Sequence, residues 1–124
     1  MTIPKFRAWD EDSQKMNGNV EIYINKDKTI EVRPKDDKTI IMQSTGLVDE
    51  NGKEIFEGDI IRDSDKDIGV VVHDKDYGAY GLEYKSGIIL TFEDLEELGS
   101  WQGSTVVGNI YENPELLEEN NGSK

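Results

Sequence analysis

The sequence predicts a mainly β fold, a sandwich or small barrel of short strands, on three observations. Ile and Val together number 21, Leu and Ala nine; β-branched side chains suit a pleated surface, whereas Ala and Leu are the stronger helix formers. Apolar residues recur at alternate positions, as in Val20-Glu21-Ile22-Tyr23-Ile24 and Thr29-Ile30-Glu31-Val32-Arg33, the rhythm of a half-buried strand. Clusters of turn-forming residues return every ~8–12 positions, the spacing of small all-β domains.

Taken in order, residues 5–9 read as a first strand. Asn17-Gly18 is a turn signal, since both residues tolerate positive φ. Val20, Ile22 and Ile24 share one face of the next strand, and Ile30 and Val32 face inward from its partner across the polar turn 25–28. Residues 34–38 form a charged loop, and 39–43 a more evenly apolar strand. Asp49-Glu50-Asn51-Gly52 marks a turn before residues 55–61, where Gly58 signals a bend or bulge. Residues 63–67 are a charged turn. Gly69-Val70-Val71-Val72-His73 reads as a strand buried in part on both faces. Residues 79–85 and 87–91 pair as a hairpin around Ser86-Gly87.

Two short helices follow. Thr91-Phe92-Glu93-Asp94 has the form of a capping box, and Gly99 closes that helix. Asn113-Pro114-Glu115-Leu116-Leu117 places Asn at a cap and Pro at the first helical position. Between them residues 105–111 read as a last strand. The organisation is a single β domain over 1–117, with 17–38 as a self-contained hairpin excursion, and 118–124 as a polar tail that frays.

The chain has 124 residues, enough for one core without disulfides. It has no Cys, which excludes a disulfide framework and thiolate metal sites. No apolar leader precedes residue 10 and no wholly apolar run exceeds three residues, so the expected compartment is the cytoplasm, away from membranes. The formal net charge is −13. Residues 1–62 carry ten basic and 13 acidic groups, and residues 63–124 carry four and 14. That balance repels nucleic acid and anionic lipid, and suits a basic partner.

No pattern points to catalysis or a cofactor. Asp63-Ser64-Asp65-Lys66-Asp67 matches the first half of a calcium loop, but the sixth and twelfth positions are Ile68 and Asp74 where Gly and Glu are needed. It reads as a solvated hairpin turn. His73, the one imidazole, has no nucleophile motif beside it and reads as a surface residue near a strand end. Glu93, Asp94, Glu96 and Glu97 form a solvated acidic face. Tyr77, Tyr80, Tyr84 and Trp101 have few cations around them for base stacking, and are candidates for core packing and contact with a protein partner. The alternative, a nucleic-acid surface, would use Lys26, Lys28, Arg33, Lys35 and Lys38 from the less acidic half.

Three blocks resemble the YopX-like family. Lys5-Phe6-Arg7-Ala8-Trp9-Asp10 with Met16 is similar to its opening. Ile41-Met42-Gln43-Ser44-Thr45-Gly46-Leu47 with Asp49-Glu50-Asn51-Gly52-Lys53-Glu54-Ile55-Phe56-Glu57-Gly58-Asp59-Ile60 is similar to its middle. Val107-Gly108-Asn109-Ile110-Tyr111-Glu112-Asn113-Pro114-Glu115-Leu116-Leu117 is similar to its close. Residues 62–105 carry no matching block. The resemblance implies a mostly β fold with an SH3-like barrel element, in a bacteriophage or prophage protein acting in the bacterial cytoplasm. It carries over no catalytic residue. The matched residues read mainly as turns, bends and caps, that is, as scaffold. The resulting expectation is a non-enzymatic accessory protein that binds a host or phage protein, or itself.

Overall fold

The computed structural model describes residues 5–17, 21–33 and 38–122, a run of antiparallel strands joined by tight turns with two short helices. The fold is mainly β, as the alternation of branched aliphatics requires. Two compact units divide the chain, Met1–Ser44 and Thr45–Lys124.

In the first unit β1 (Phe6–Asp10) pairs with β2 (Lys15–Asn17), Ala8 facing Asn17 and Asp10 facing Lys15. The sequence gives β2 little signal, because Met16 is its one large apolar residue. The turn makes it: the Asp10 carboxylate accepts the Asp12 amide at 3.0 Å and Gln14 takes a positive φ of 56°. The strands β3 (Glu21–Ile24) and β4 (Ile30–Arg33) form a separate two-stranded sheet, the hairpin excursion expected from the sequence. Ile24 departs from its expected buried face: it is 75% exposed. Gly18, Val20 and residues 34–37, parts of the expected turn, strand and charged loop, lie outside the described residues. Strand β5 (Thr39–Val48) pairs with β1, Phe6 facing Gln43 and Asp10 facing Thr39, and Ala8, Trp9 and Met42 are buried.

The second unit takes up the end of β5, which runs on through Val48 where the sequence suggested a stop at Gln43. Strand β6 (Glu54–Phe56) joins it, and the Thr45 hydroxyl donates to the Ile55 carbonyl at 2.8 Å. The expected single strand over 55–61 is two. Gly58 sits at φ 83°, the Asp59 carboxylate accepts the Phe56 amide at 2.8 Å, and the chain turns out of one sheet into another. The second sheet is built from β7 (Asp59–Arg62), β8 (Ile68–Asp74), β9 (Ala79–Tyr84), β10 (Ile89–Thr91) and, after the helix α1 (Phe92–Glu97), β11 (Thr105–Asn109), in the order β10-β9-β8-β7-β11. β8 alternates rather than burying both faces: Gly69 and Val71 are buried, their neighbours only partly.

The core of this unit is Ile55, Ile61, Val71, Leu82, Phe92 and Leu95, with Tyr80, Tyr84, Leu90, Trp101 and Val106 packed against it. Helix α1 has the capping box read from the sequence. The Thr91 side chain accepts the Asp94 amide, the Asp94 carboxylate accepts the Thr91 amide, and Phe92 and Leu95 point into the core. Gly99, at φ 76°, closes the helix by donating its amide to the Glu96 carbonyl. Helix α2 (Glu115–Gly122) continues past Leu117 through five residues of the expected tail. Residues 123–124 lie outside the described residues.

One turn geometry recurs. At Asn25, Asp49, Asp63 and Tyr84 the first residue's amide donates to the carbonyl four residues on, and its carbonyl accepts the amide three residues on. The fourth position of each, Lys28, Gly52, Lys66 and Gly87, has φ between 68° and 90°. This is the three-residue hairpin loop closed by a left-handed residue.

Candidate functional site

The four aromatic residues singled out in the sequence have different surroundings in the structure. Tyr77 stands in the β8–β9 loop and is 77% exposed. Tyr80, on β9, is half-buried, its ring edge-on to His73 with centroids 5.0 Å apart. Burial, and after it the Glu57 carboxylate, raises the Tyr80 phenol above its ordinary pKa. Trp101 packs on Phe92 with ring centroids 4.7 Å apart, so it serves the core. Tyr84 is half-buried and donates its hydroxyl to Asp63 at 2.8 Å. Burial, then the hydrogen bond and charge of Asp63, then Asp67 and Asp65, hold its phenol well above the ordinary value.

Tyr77 and Tyr80 come together in a groove of about 580 Å³, with Leu47 from the end of β5 and Phe92, Glu93 and Asp94 from the start of α1. The sequence did not single out Leu47, which is 42% exposed. Its signals were a large aliphatic two residues before a turn aspartate and a place in the middle family-matching block. Beside these aromatic and aliphatic side chains, Thr45 and Thr91 also line it, and Glu93 and Asp94 are its charged groups. Asp94 is committed to the helix cap, and Glu93 is exposed.

A second cleft, about 390 Å³, is lined by Asp63, Asp65, Asp67, Tyr84, Lys85 and the exposed Ile88 among others. The calcium-like run is the turn that the sequence suggested. One Asp63 oxygen accepts the amides of Asp65 and Asp67 at 2.9 and 3.0 Å, and the other accepts the Tyr84 hydroxyl. The Asp65 carboxylate accepts the Ser100 hydroxyl at 3.2 Å. Among the described residues no group of three or more His, Asp or Glu is arranged to hold a metal ion. His73 is exposed, next to the last residue of β8.

The cations of the nucleic-acid alternative are described in part. Lys26 and Lys28 are exposed on the β3–β4 turn. The Lys38 ammonium lies 3.4 Å from the Asp12 carboxylate. Arg33 ends β4, and Lys35 lies outside the described residues. Charge follows the two units closely: residues 1–44 hold eight basic and eight acidic groups, and residues 45–124 hold six and 19. The whole excess of negative charge belongs to the second unit.

The blocks that carried the family resemblance do structural work. Asp49, 7% exposed, caps its own turn through the Asn51 and Lys53 amides at 2.9 and 2.8 Å, and its other oxygen accepts the Val106 amide at 2.8 Å. Burial acts to raise its pKa, but the Val106, Lys53 and Asn51 amides and the Lys53 charge outweigh it, and the carboxyl titrates below the ordinary value. The Asn109 side chain accepts the Tyr111 and Glu112 amides and donates to the Glu112 carboxylate. Asn113 accepts the Asn109 amide at 3.2 Å. Among the described residues, no helix is long and apolar enough to cross a membrane.

The comparisons agree with this geometry. The structure is similar to the crystal structure of protein EF1440 from Enterococcus faecalis, at 31% identity and a TM-score of 0.64, over 94% of this chain and 99% of that one. It is also similar to the X-ray structure of protein yopX from Bacillus subtilis, at 18% identity and a TM-score of 0.54, again over 94% and 99%; that likeness shows the fold alone. No curated protein matches the chain. A family model described as YopX protein matches residues 5–118. By that match over nearly its whole length, the chain belongs to the YopX family.

Proposed function

We propose that this protein is a non-enzymatic interaction module, a phage or prophage accessory protein that docks another polypeptide in the bacterial cytoplasm. The observation that carries the reading is the groove: Tyr77 and Leu47, 77% and 42% exposed, stand in the same concave surface as Tyr80 and Phe92. Large aromatic and aliphatic side chains around a concavity are the usual anchors of protein interfaces. The acidic second unit supports a basic partner, drawn in at long range.

The test is quantitative affinity purification of the tagged protein from lysogenic or infected cells, with and without cross-linking, at ~50 and ~300 mM salt, which changes screening severalfold. The reading expects a basic protein recovered more fully at low salt, and lost from a Leu47→Ser/Tyr77→Ser variant that melts at the wild-type temperature. Recovery unchanged by that double substitution contradicts it. An anisotropy titration with nucleic acid at ~50 mM salt separates the alternative, which requires affinity tighter than about 10⁻⁴ M and sensitivity to Lys26→Ala/Lys28→Ala.

A further inference from the structure

We propose that the groove of Tyr77 and Tyr80 takes an arginine side chain of the partner as its anchor, the guanidinium stacked on tyrosine and paired with Glu93. The inference rests on the interaction reading above and names the chemistry of its partner at that site.

Three observations converge. Tyr77, Tyr80 and Phe92 are among the residues that line the groove, and a π-face attracts a cation placed over it. Glu93 lines the same groove and is exposed. Asp94, the other carboxylate there, already accepts the Thr91 amide at 3.3 Å, which leaves Glu93 as the carboxylate available to a fork of guanidinium donors. The groove belongs to the unit that carries six basic and 19 acidic groups, so the field around it favours a cation. Among the described residues, no Lys or Arg lines it.

Arginine fits these walls better than lysine. Its planar group stacks on an aromatic face and presents paired donors to a carboxylate, and it is more weakly hydrated than an ammonium. Its three methylenes lie against Leu47 and Ala79, which line the same groove. A neutral apolar anchor would leave Glu93 facing an uncharged group in a partly desolvated site. The cleft at Asp63 is the competing acidic concavity, but Asp63 is engaged by Tyr84 and its own turn, Asp65 accepts the Ser100 hydroxyl, and Lys85 lines the same cleft.

The experiment titrates the ¹⁵N-labelled full chain with an acetylated Gly-Ser-Leu-Arg-Ser-Gly peptide and its lysine and citrulline counterparts, following amide shifts. The proposal expects shifts at residues 77–80 and 91–94, with the arginine peptide about tenfold tighter than the citrulline peptide, an order given by one cation–π contact with one partly exposed ion pair. Lysine falls between them. Tyr77→Leu and Glu93→Gln, both surface changes, weaken arginine binding about threefold each and narrow the ratio of arginine to citrulline affinity. Equal affinity for arginine and citrulline overturns the proposal, as does lysine binding as tightly as arginine. Shifts confined to residues 63–67 and 84–88 overturn it by placing the cation in the other cleft. If partner recovery depends on Leu47 and Tyr77 while the three peptides bind alike, the interaction reading stands and the arginine anchor falls.

Discussion

The Asp49 carboxylate accepts the Val106 amide at 2.8 Å, joining positions 57 residues apart. Its other oxygen shapes the loop from which it projects. Asp63 repeats the device: one oxygen holds its own turn, and the other takes the Tyr84 hydroxyl 21 residues away. The amides that follow these aspartates reach the segment after α1, Glu50 donating to the Ser104 carbonyl and Ser64 to the Ser100 carbonyl. Two hairpin loops thus hold the stretch between α1 and β11 in place.

Replacing Asp49 with Asn puts an amide where a carboxylate took three backbone donors. The expected cost is about 1–3 kcal/mol, the range for leaving buried donors unsatisfied. Urea unfolding at pH 7 measures it, and an unchanged midpoint contradicts the role given to Asp49.

The same pair sets an acid limb of stability. The folded pKa of Asp49 is depressed, so its contribution is complete above the unfolded value near ~4 and is lost as pH falls through the lower folded value. The denaturation midpoint is expected to drop below about pH 4, and to drop less in Asp49→Asn. Tyr84 has the opposite sign. Its raised folded pKa gives a contribution present below ~10 that fades as pH climbs beyond it, and Tyr84→Phe is expected to flatten that alkaline limb.

The left-handed turn positions predict a pair of opposite effects. Gly52 sits at φ 81°, and Gly52→Ala is expected to cost about 1–2 kcal/mol, the steric price of that conformation for an L-residue. Lys66 occupies the equivalent place at φ 71°. Lys66→Gly relieves the strain but frees the unfolded chain, leaving a net gain of up to about 1 kcal/mol. Differential scanning calorimetry reads both, and the same sign for the two changes contradicts the shared geometry.

Gly108 has no room for a side chain. A Cβ there would lie 2.6 Å from the Asn113 Oδ1 and 2.7 Å from its Cγ, so Gly108→Ala has to displace the side chain that accepts the Asn109 amide. The expected loss is about 1–3 kcal/mol, as for other overpacked sites. Wild-type thermal stability in this variant contradicts the close packing of Gly108 on Asn113.

Much of the strand pattern was legible because branched aliphatics cluster at Ile60-Ile61, Val70-Val71-Val72 and Val106-Val107 between turn signals, and because Thr91, Asp94 and Gly99 are local signals that need no tertiary partner. β2 was not legible: a turn made by Asp10 and Gln14 sets it, not its own three residues. Gly58 was read as a bend, yet it separates two sheets, because Asp59 turns back to cap Phe56 and local spacing does not report that contact. Ile24 shows that alternation alone does not ensure burial in a two-stranded sheet. At the candidate site, Tyr77 and Tyr80 were visible as aromatics on a polar background. Trp101 looked the same in sequence and went to the core, and Leu47 joined the groove through the fold of β5 toward α1.

The central claim is that the capping residues of the family-matching blocks, Asn109 among them, build the scaffold while the groove of Tyr77 and Leu47 makes the contact. Partner recovered per folded molecule, measured side by side for Asn109→Ala and Leu47→Ser/Tyr77→Ser, tests it most directly. The account predicts a lowered melting temperature with undiminished recovery for the first variant, and wild-type melting with recovery lost for the second. A stable Asn109→Ala protein that no longer captures its partner would contradict it.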